Sequence, residues 1–243
     1  MARAFPIALD LRAGIAPKYP NAVDRCVAVR IEFVGDLPRS LLALSRTSLK
    51  RPRQGFDFTT HMRALCEDIC RRLPEFSHIE MDQVTVAVCQ TRKRVAHGMY
   101  ASLTPMRFEN GELVGAKRGR QYSFQRLYDE AGREQLYILS FYLPRFMEVD
   151  FLEKLSTVIH ELWHINPEFD GDLRRHAGRC YAHSHSRDIY DAQMEQLAKR
   201  YLATSPPEHL TRFLHLTFGQ LQQRHGIVFG LKVPRPRLLP VKA

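Results

Sequence analysis

The period of the apolar residues changes several times along the chain, and each change marks an element. From Cys26 to Val34, Val27, Val29, Ile31 and Phe33 alternate with Ala28, Arg30 and Glu32, the period of a half-buried strand. Between Thr59 and Leu73 the spacing becomes helical through Met62, Leu65, Cys66, Ile69 and Leu73, and Pro74 closes the helix. Strands are predicted next around Val84, Val86 and Val88, and again over His97 to Phe108. Pro105 has no N–H to give to a ladder, which puts the second of these at a sheet edge. Residues 109–135 are glycine-rich and charged and read as a long loop or flexible hairpin. Leu136 to Leu143 is a nearly continuous apolar run, suited to a well-buried strand, and Pro144 stops it.

From Phe151 to Ile165 the helical period returns in Leu152, Leu155, Val158, Ile159 and Leu162, with Asp150 and Glu153 spaced as a capping pair at its start. Asn166-Pro167 ends it and opens a polar stretch to Ser186. A helix is expected over Asp188 to Leu202 through Tyr190, Met194, Leu197, Ala198 and Tyr201. A last one is expected to start at Ser205-Pro206-Pro207-Glu208 and run through Leu210, Phe213, Leu214, Phe218 and Leu221. From Gly226 the chain reads most simply as a mobile basic tail, with a docking peptide as the alternative. Strands and helices in this mixture give an α+β class. The organisation predicted is an N-terminal extension with a strand over 1–54, a main domain over 55–205, and a C-terminal helix with a basic Pro-rich tail over 206–243.

A length of 243 residues with 44% hydrophobic residues allows one substantial core. No apolar run approaches the ~20 residues of a spanning helix, and the first residues lack a signal-peptide core, so the expectation is a cytoplasmic protein without membrane contact. Five dispersed cysteines argue against a disulfide framework; Cys66 and Cys70, four apart on a helix, are read as buried thiols. The net charge of +10 permits nucleic acid as a partner, with basic runs at Lys50–Arg53, Arg92–Arg94, Lys117–Arg120 and Arg174-Arg175. No nucleic-acid-binding motif accompanies these runs, and a solvated basic surface explains them equally well.

The chemistry concentrates in the helix at 151–165, which contains His160, Glu161 and His164 in the pattern HExxH. Two histidines four apart stand on one helix face about 6 Å apart at Cβ, so both imidazoles can reach one ion. Glu161 lies about 100° round the helix, beside that ion rather than on it, where it can take a proton from a metal-bound water. A hydrolytic zinc site takes three protein ligands. The polar stretch that follows offers His176, His183, His185, Asp172, Asp188 and Asp191. His176 is flanked by Arg174, Arg175 and Arg179, whose charge opposes a dication; His183 is preferred, just ahead of the next helix, with His185 its nearest rival. Glu168, Asp170 and Asp172 are expected to form surface pairs with the neighbouring arginines, or to orient a metal-bound imidazole. His97 reads as an ordinary strand-end histidine, with the cleft wall as its alternative.

The run from His160 to His183, beginning His160-Glu161-Leu162-Trp163-His164-Ile165-Asn166-Pro167, resembles the signature of the phage metallopeptidase family. His97-Gly98-Met99-Tyr100-Ala101 with Leu103 to Phe108 is similar to that family's preceding strand, and the resemblance covers roughly residues 56 to 205. It implies a zincin-like fold of the minimal gluzincin or SprT-like kind: a small, mostly antiparallel sheet packed on the motif helix, with further helices C-terminal. The function expected is that of a zinc metallopeptidase. His160, His164 and His183 would hold Zn²⁺, Glu161 would act as the base, and a protein or peptide substrate would lie along Met99–Phe108. The alternative is a basic nucleic-acid-associated module with a structural zinc site.

Overall fold

The computed structural model describes residues 30–32 (backbone only), 54–91, 98–175 and 187–241. In chain order the elements are β1 (Arg30–Glu32), β2 (Phe56–Asp57), α1 (Phe58–Arg72), β3 (Val84–Gln90), β4 (Ala101–Pro105), β5 (Val114–Lys117), β6 (Arg120–Phe124), β7 (Arg126–Tyr128) and β8 (Tyr137–Leu143). They continue as α2 (Phe151–Trp163), α3 (Arg187–Ala203), α4 (Glu208–Thr211), α5 (Phe218–His225), β9 (Val228–Phe229) and β10 (Leu238–Pro240), a mixed α+β fold with small sheets. Among the described residues no helix is long and apolar enough to cross a membrane.

The apolar run before Pro144 becomes the central strand of the sheet β3-β8-β4. Tyr137, Leu139, Phe141 and Leu143 face the main core, while Ile138 joins Ala87, Met106 and Leu127 in a second cluster on the opposite face. A strand covered on both faces has no need to alternate apolar with polar residues, which explains the unbroken pattern. Its longest ladder, Val84↔Tyr137 to Gln90↔Leu143, is parallel, whereas the sequence pointed to a mostly antiparallel sheet against the motif helix; only β4 runs antiparallel to β8.

As Pro105 requires, β4 is an edge strand. Tyr142 N donates to the Tyr100 carbonyl and Met106 N to that of Leu136, so the odd residues between them turn their peptide groups away from β8. Pro105 holds one of these outward positions, where a missing N–H costs the ladder nothing. At the sheet's other edge the C-terminal segment crosses β3, with Val88 N donating to the Leu231 carbonyl.

Helix α1 starts on Asp57, whose carboxylate accepts from Thr60 N and Thr60 Oγ1, and buries Met62, Leu65, Cys66 and Ile69. Both thiols are buried as expected: burial pushes the Cys66 thiol up, and that of Cys70 to about 12. Asp68, on the same helix and only 1% exposed, ties α1 to α3. Its carboxylate accepts from Tyr201 Oη at 2.8 Å, from Arg72 Nε at 2.7 Å and from Arg71.

Two expectations fail here, and a third is met in one of its forms: residues 109–135, read as a long loop or flexible hairpin, hold the β5–β6 hairpin, with β7 pairing to β1 besides. The last helix is broken into α4, a 3-10 turn at Arg212–His215, and α5. A continuous helix would need the carbonyls of Leu214 and Leu216 for the amides four residues on, but the buried ammonium of Lys154 takes both, at 2.8 and 2.9 Å. Thr217 then caps α5, its Oγ1 accepting from Gln220 N while Gln220 Oε1 accepts from Thr217 N. Finally, the basic tail is ordered: β9 pairs in parallel with β2, and β10 adds to β6. The sequence also suggests a short helical piece from Leu41 to Ser45, which lies outside the described residues.

Burial raises the Asp68 carboxyl, but hydrogen bonds from Tyr201, Arg71 and Arg72 outweigh it and hold the group below the usual carboxylate range. A depressed folded value contributes stability above the ordinary Asp value of about 3.9 and loses it as pH falls through the lowered one. Asp68→Asn is expected to lower stability at pH 7 by about 2 kcal/mol, the worth of charge-assisted bonds across one buried junction. The gap between the two proteins in urea titrations should narrow as pH falls below the ordinary Asp value of about 3.9 and close once pH has passed the lowered folded value.

Candidate metal centre

Helix α2 carries the candidate site because its two flanks have different work. Leu155, Val158, Ile159 and Leu162 are fully buried on one side, while Leu152, Ser156, Thr157, His160 and Glu161 line a cleft of about 750 Å³ on the other. Asp150 starts the helix by accepting from Glu153 N at 2.9 Å, as its spacing predicted. Across the cleft stand Met99, Tyr100 and Ala101 at the head of β4, and Asp191, Met194 and Glu195 on α3.

The two histidines converge. Their Nε2 atoms lie 3.0 Å apart, with ring centroids 4.7 Å apart and ring planes at 80°. Two nitrogens bound tetrahedrally to one zinc ion, each at about 2.0–2.1 Å, would sit roughly 3.3 Å apart, so the pair fits an ion after a shift of a few tenths of an ångström. At 3.0 Å the same nitrogens can instead share one proton as N–H···N, and protons on both would clash.

Glu161 is 8% exposed and lines the same cleft as His160. Burial pushes its carboxyl up to about 7, against the opposing pull of a hydrogen bond from the Leu103 amide. Leu103 is one of the outward-facing residues of β4, so the edge strand grips the carboxylate directly. Glu161 forms no ion pair among the described residues.

The end of α2 is held by Arg174. Its Nε donates to the Trp163 carbonyl at 2.7 Å, its guanidinium lies 4.2 Å over the indole, and its backbone N–H donates to the His164 carbonyl at 2.8 Å. A cation on the last carbonyls of a helix meets the negative end of the dipole. The loop between is shaped by its carboxylates, and of the arginine pairs expected the one between Asp172 and Arg175 forms, at 2.8 Å. Asp170 accepts from Asn166 Nδ2 and from Asp172 N. Asp172 is buried and accepts from Leu173 N, Asn110 N and Arg175. With its oxygens so engaged, Asp172 is no longer a candidate ligand.

Sequence reasoning passed over Tyr190, which it read as one apolar position of α3. The ring is 4% exposed, stands edge-on to His160 at 5.0 Å and lies nearly parallel to His164 at 6.3 Å, roofing both imidazoles. Burial, and after it the charge of Glu161, push its hydroxyl above the ordinary tyrosine value. The available signal was its type: a tyrosine in a buried stripe brings a hydroxyl that an apolar residue would not.

The structure therefore brings His160, His164 and Glu161 together. His183, its rivals His176 and His185, and His97 lie outside the described residues. Among the described residues no group of three His, Cys, Asp or Glu side chains is placed to hold a metal ion. Comparison of the chain with family models, curated proteins and solved structures brought no match.

Addition of Zn²⁺ to metal-free protein is expected to give one bound ion per chain by atomic absorption. At a hundredfold excess over Kd the ion should raise unfolding stability by about 2.7 kcal/mol. His164→Ala should abolish both effects. Unchanged stoichiometry in that variant would separate the ion from the paired imidazoles.

Proposed function

We propose that the chain is a zinc-dependent metallopeptidase with a zincin-like active site, as its resemblance to the phage metallopeptidase family implies. The observation that carries the reading is the 3.0 Å approach of the His160 and His164 Nε2 atoms, with His160 and Glu161 lining one cleft. His160 and His164 would supply two ligands, and His183 is proposed as the third. A divalent ion held there supplies Lewis acidity toward water and the scissile carbonyl.

The remaining steps belong to this chain's own residues. Glu161 accepts the proton of the attacking water and later delivers it to the leaving amine, so the base is restored at the end of the cycle. The Leu103 amide on β4 hydrogen-bonds the Glu161 carboxylate and favours its charged form. Tyr190 shields the imidazoles from bulk water on the α3 side. An extended peptide would add to β4 as a further strand, using the outward peptide group of Ala101 and the Leu103 carbonyl, the Leu103 N–H being engaged with Glu161. Met99, Leu152 and Met194 would receive its side chains.

Zinc-loaded protein is expected to cleave an unfolded protein substrate such as casein. Glu161→Gln should retain one zinc per chain while cleavage falls at least 10²-fold, the usual scale for loss of a general base. Zinc bound at full stoichiometry with no hydrolysis across a broad protein and peptide panel would overturn the reading and leave the ion a structural role.

A further inference from the structure

The sequence shows two stretches without a single carboxylate, residues 113–128 and 226–241, which lie about a hundred positions apart. The fold joins them in one sheet of order β10-β6-β5. Lys117 and Arg120 pair across the end of the β5–β6 hairpin, and Arg118 occupies the turn between them. The tail brings Arg237 to the same sheet, its carbonyl accepting from Gln125 N at 2.9 Å. All four residues are exposed. Lys117, Arg118, Arg120 and Arg237 have no ion pair among the described residues, unlike Arg63, Arg72, Arg107 and Arg133, which all do.

The turn itself is built against stereochemical preference. Arg118 and Gly119 have φ of 51° and 74°, the two left-handed positions of a tight hairpin turn, where Asn-Gly is the comfortable pair. An arginine at the first of them puts a cation at the apex at the expense of backbone ease, and strain of this kind is characteristic of functional positions. Strand alternation sets Tyr122 on the same face as Arg120, two residues behind it.

We infer that this sheet, led by Lys117, Arg118 and Arg120, is a nucleic-acid-binding surface that grips the phosphate backbone. Lys117 and Arg120 stand directly opposite each other and so share a face, with Arg118 at the apex beside them, which clusters three cations where a phosphate backbone can meet them. The planar guanidinium groups suit phosphate oxygens in bidentate fashion. An anionic membrane is the weaker fit: between Ala116 and Gln121 no bulky apolar side chain is present to enter the lipid interface. The surface is distinct from the cleft on α2, and binding here does not depend on hydrolysis there.

The test is fluorescence anisotropy of a labelled 25-base-pair DNA duplex of mixed sequence against the full chain over a range of salt. Arg118→Glu with Arg120→Glu is expected to weaken binding at least tenfold at 100 mM salt and to make the slope of log K against log salt shallower by about 2. The charge-matched pair Arg212→Glu with Arg224→Glu, on the α4–α5 side, should change affinity less than threefold. Arg118→Gly guards against misfolding as an explanation: glycine suits the positive φ, so the melting temperature should hold or rise while affinity falls about threefold. Equal losses in the two charge-reversed pairs, unchanged affinity in Arg118→Gly, or binding to phosphatidylserine vesicles with none to DNA would each overturn the inference.

Discussion

The rotation of α2 about its own axis is the constraint on which the rest depends. Its buried flank and its polar triad are separated by only a fraction of a turn, so a modest roll would bury His160 and expose Val158 or Leu162. Three clamps prevent this. Asp150 fixes the first turn, Arg174 fixes the last through Trp163 and His164, and Lys154, one turn in, reaches to two carbonyls of a distant segment. The third is the most costly to build, since an ammonium in the interior is tolerated only where oxygens replace its water. Those oxygens come from the turn that interrupts the C-terminal helices, so that interruption and the setting of the candidate site are one structural fact.

Much of this was legible in the sequence because it rests on local periodicity. The bounds of α1 and α2, the capping role of Asp150, the buried character of β8 and the edge position forced by Pro105 all follow from residue type and spacing. The HExxH spacing likewise announced that two imidazoles share a face, and the coordinates add that the rings turn their Nε2 atoms toward each other. What stayed hidden depends on partners distant in sequence. Nothing near Lys154 says that its ammonium will take the Leu214 and Leu216 carbonyls, so the last helix was read as unbroken. Nor does anything near Gly226 say that the tail will find β2, β3 and β6.

The carboxylates after the motif make the same point in the opposite sense. Glu168, Asp170, Asp172 and the arginines that follow look like an exposed mixture of charges. Asp172 in fact serves as a hub below the surface, joining the base of the β5–β6 hairpin at Asn110 to the loop that closes α2. A buried carboxylate that accepts backbone amides organises a loop as firmly as a short ladder does. Sequence distance concealed this role: Asn110 and Asp172 are separated by 62 residues.

The parallel pairing of Phe56 with Val228 has a bearing on how such a chain is assembled. A ladder between positions 172 residues apart closes a very long loop, and the entropy of that closure is recovered only after the intervening chain has packed. During synthesis the ribosome would have to release nearly all of the body before β2 could meet β9. Until then the Phe56 ring would lack the Phe213 and His225 rings that it meets in the finished protein. Completion from the C-terminal side would thus be a late event, which makes the nascent chain dependent on whatever shields that apolar surface in the interval.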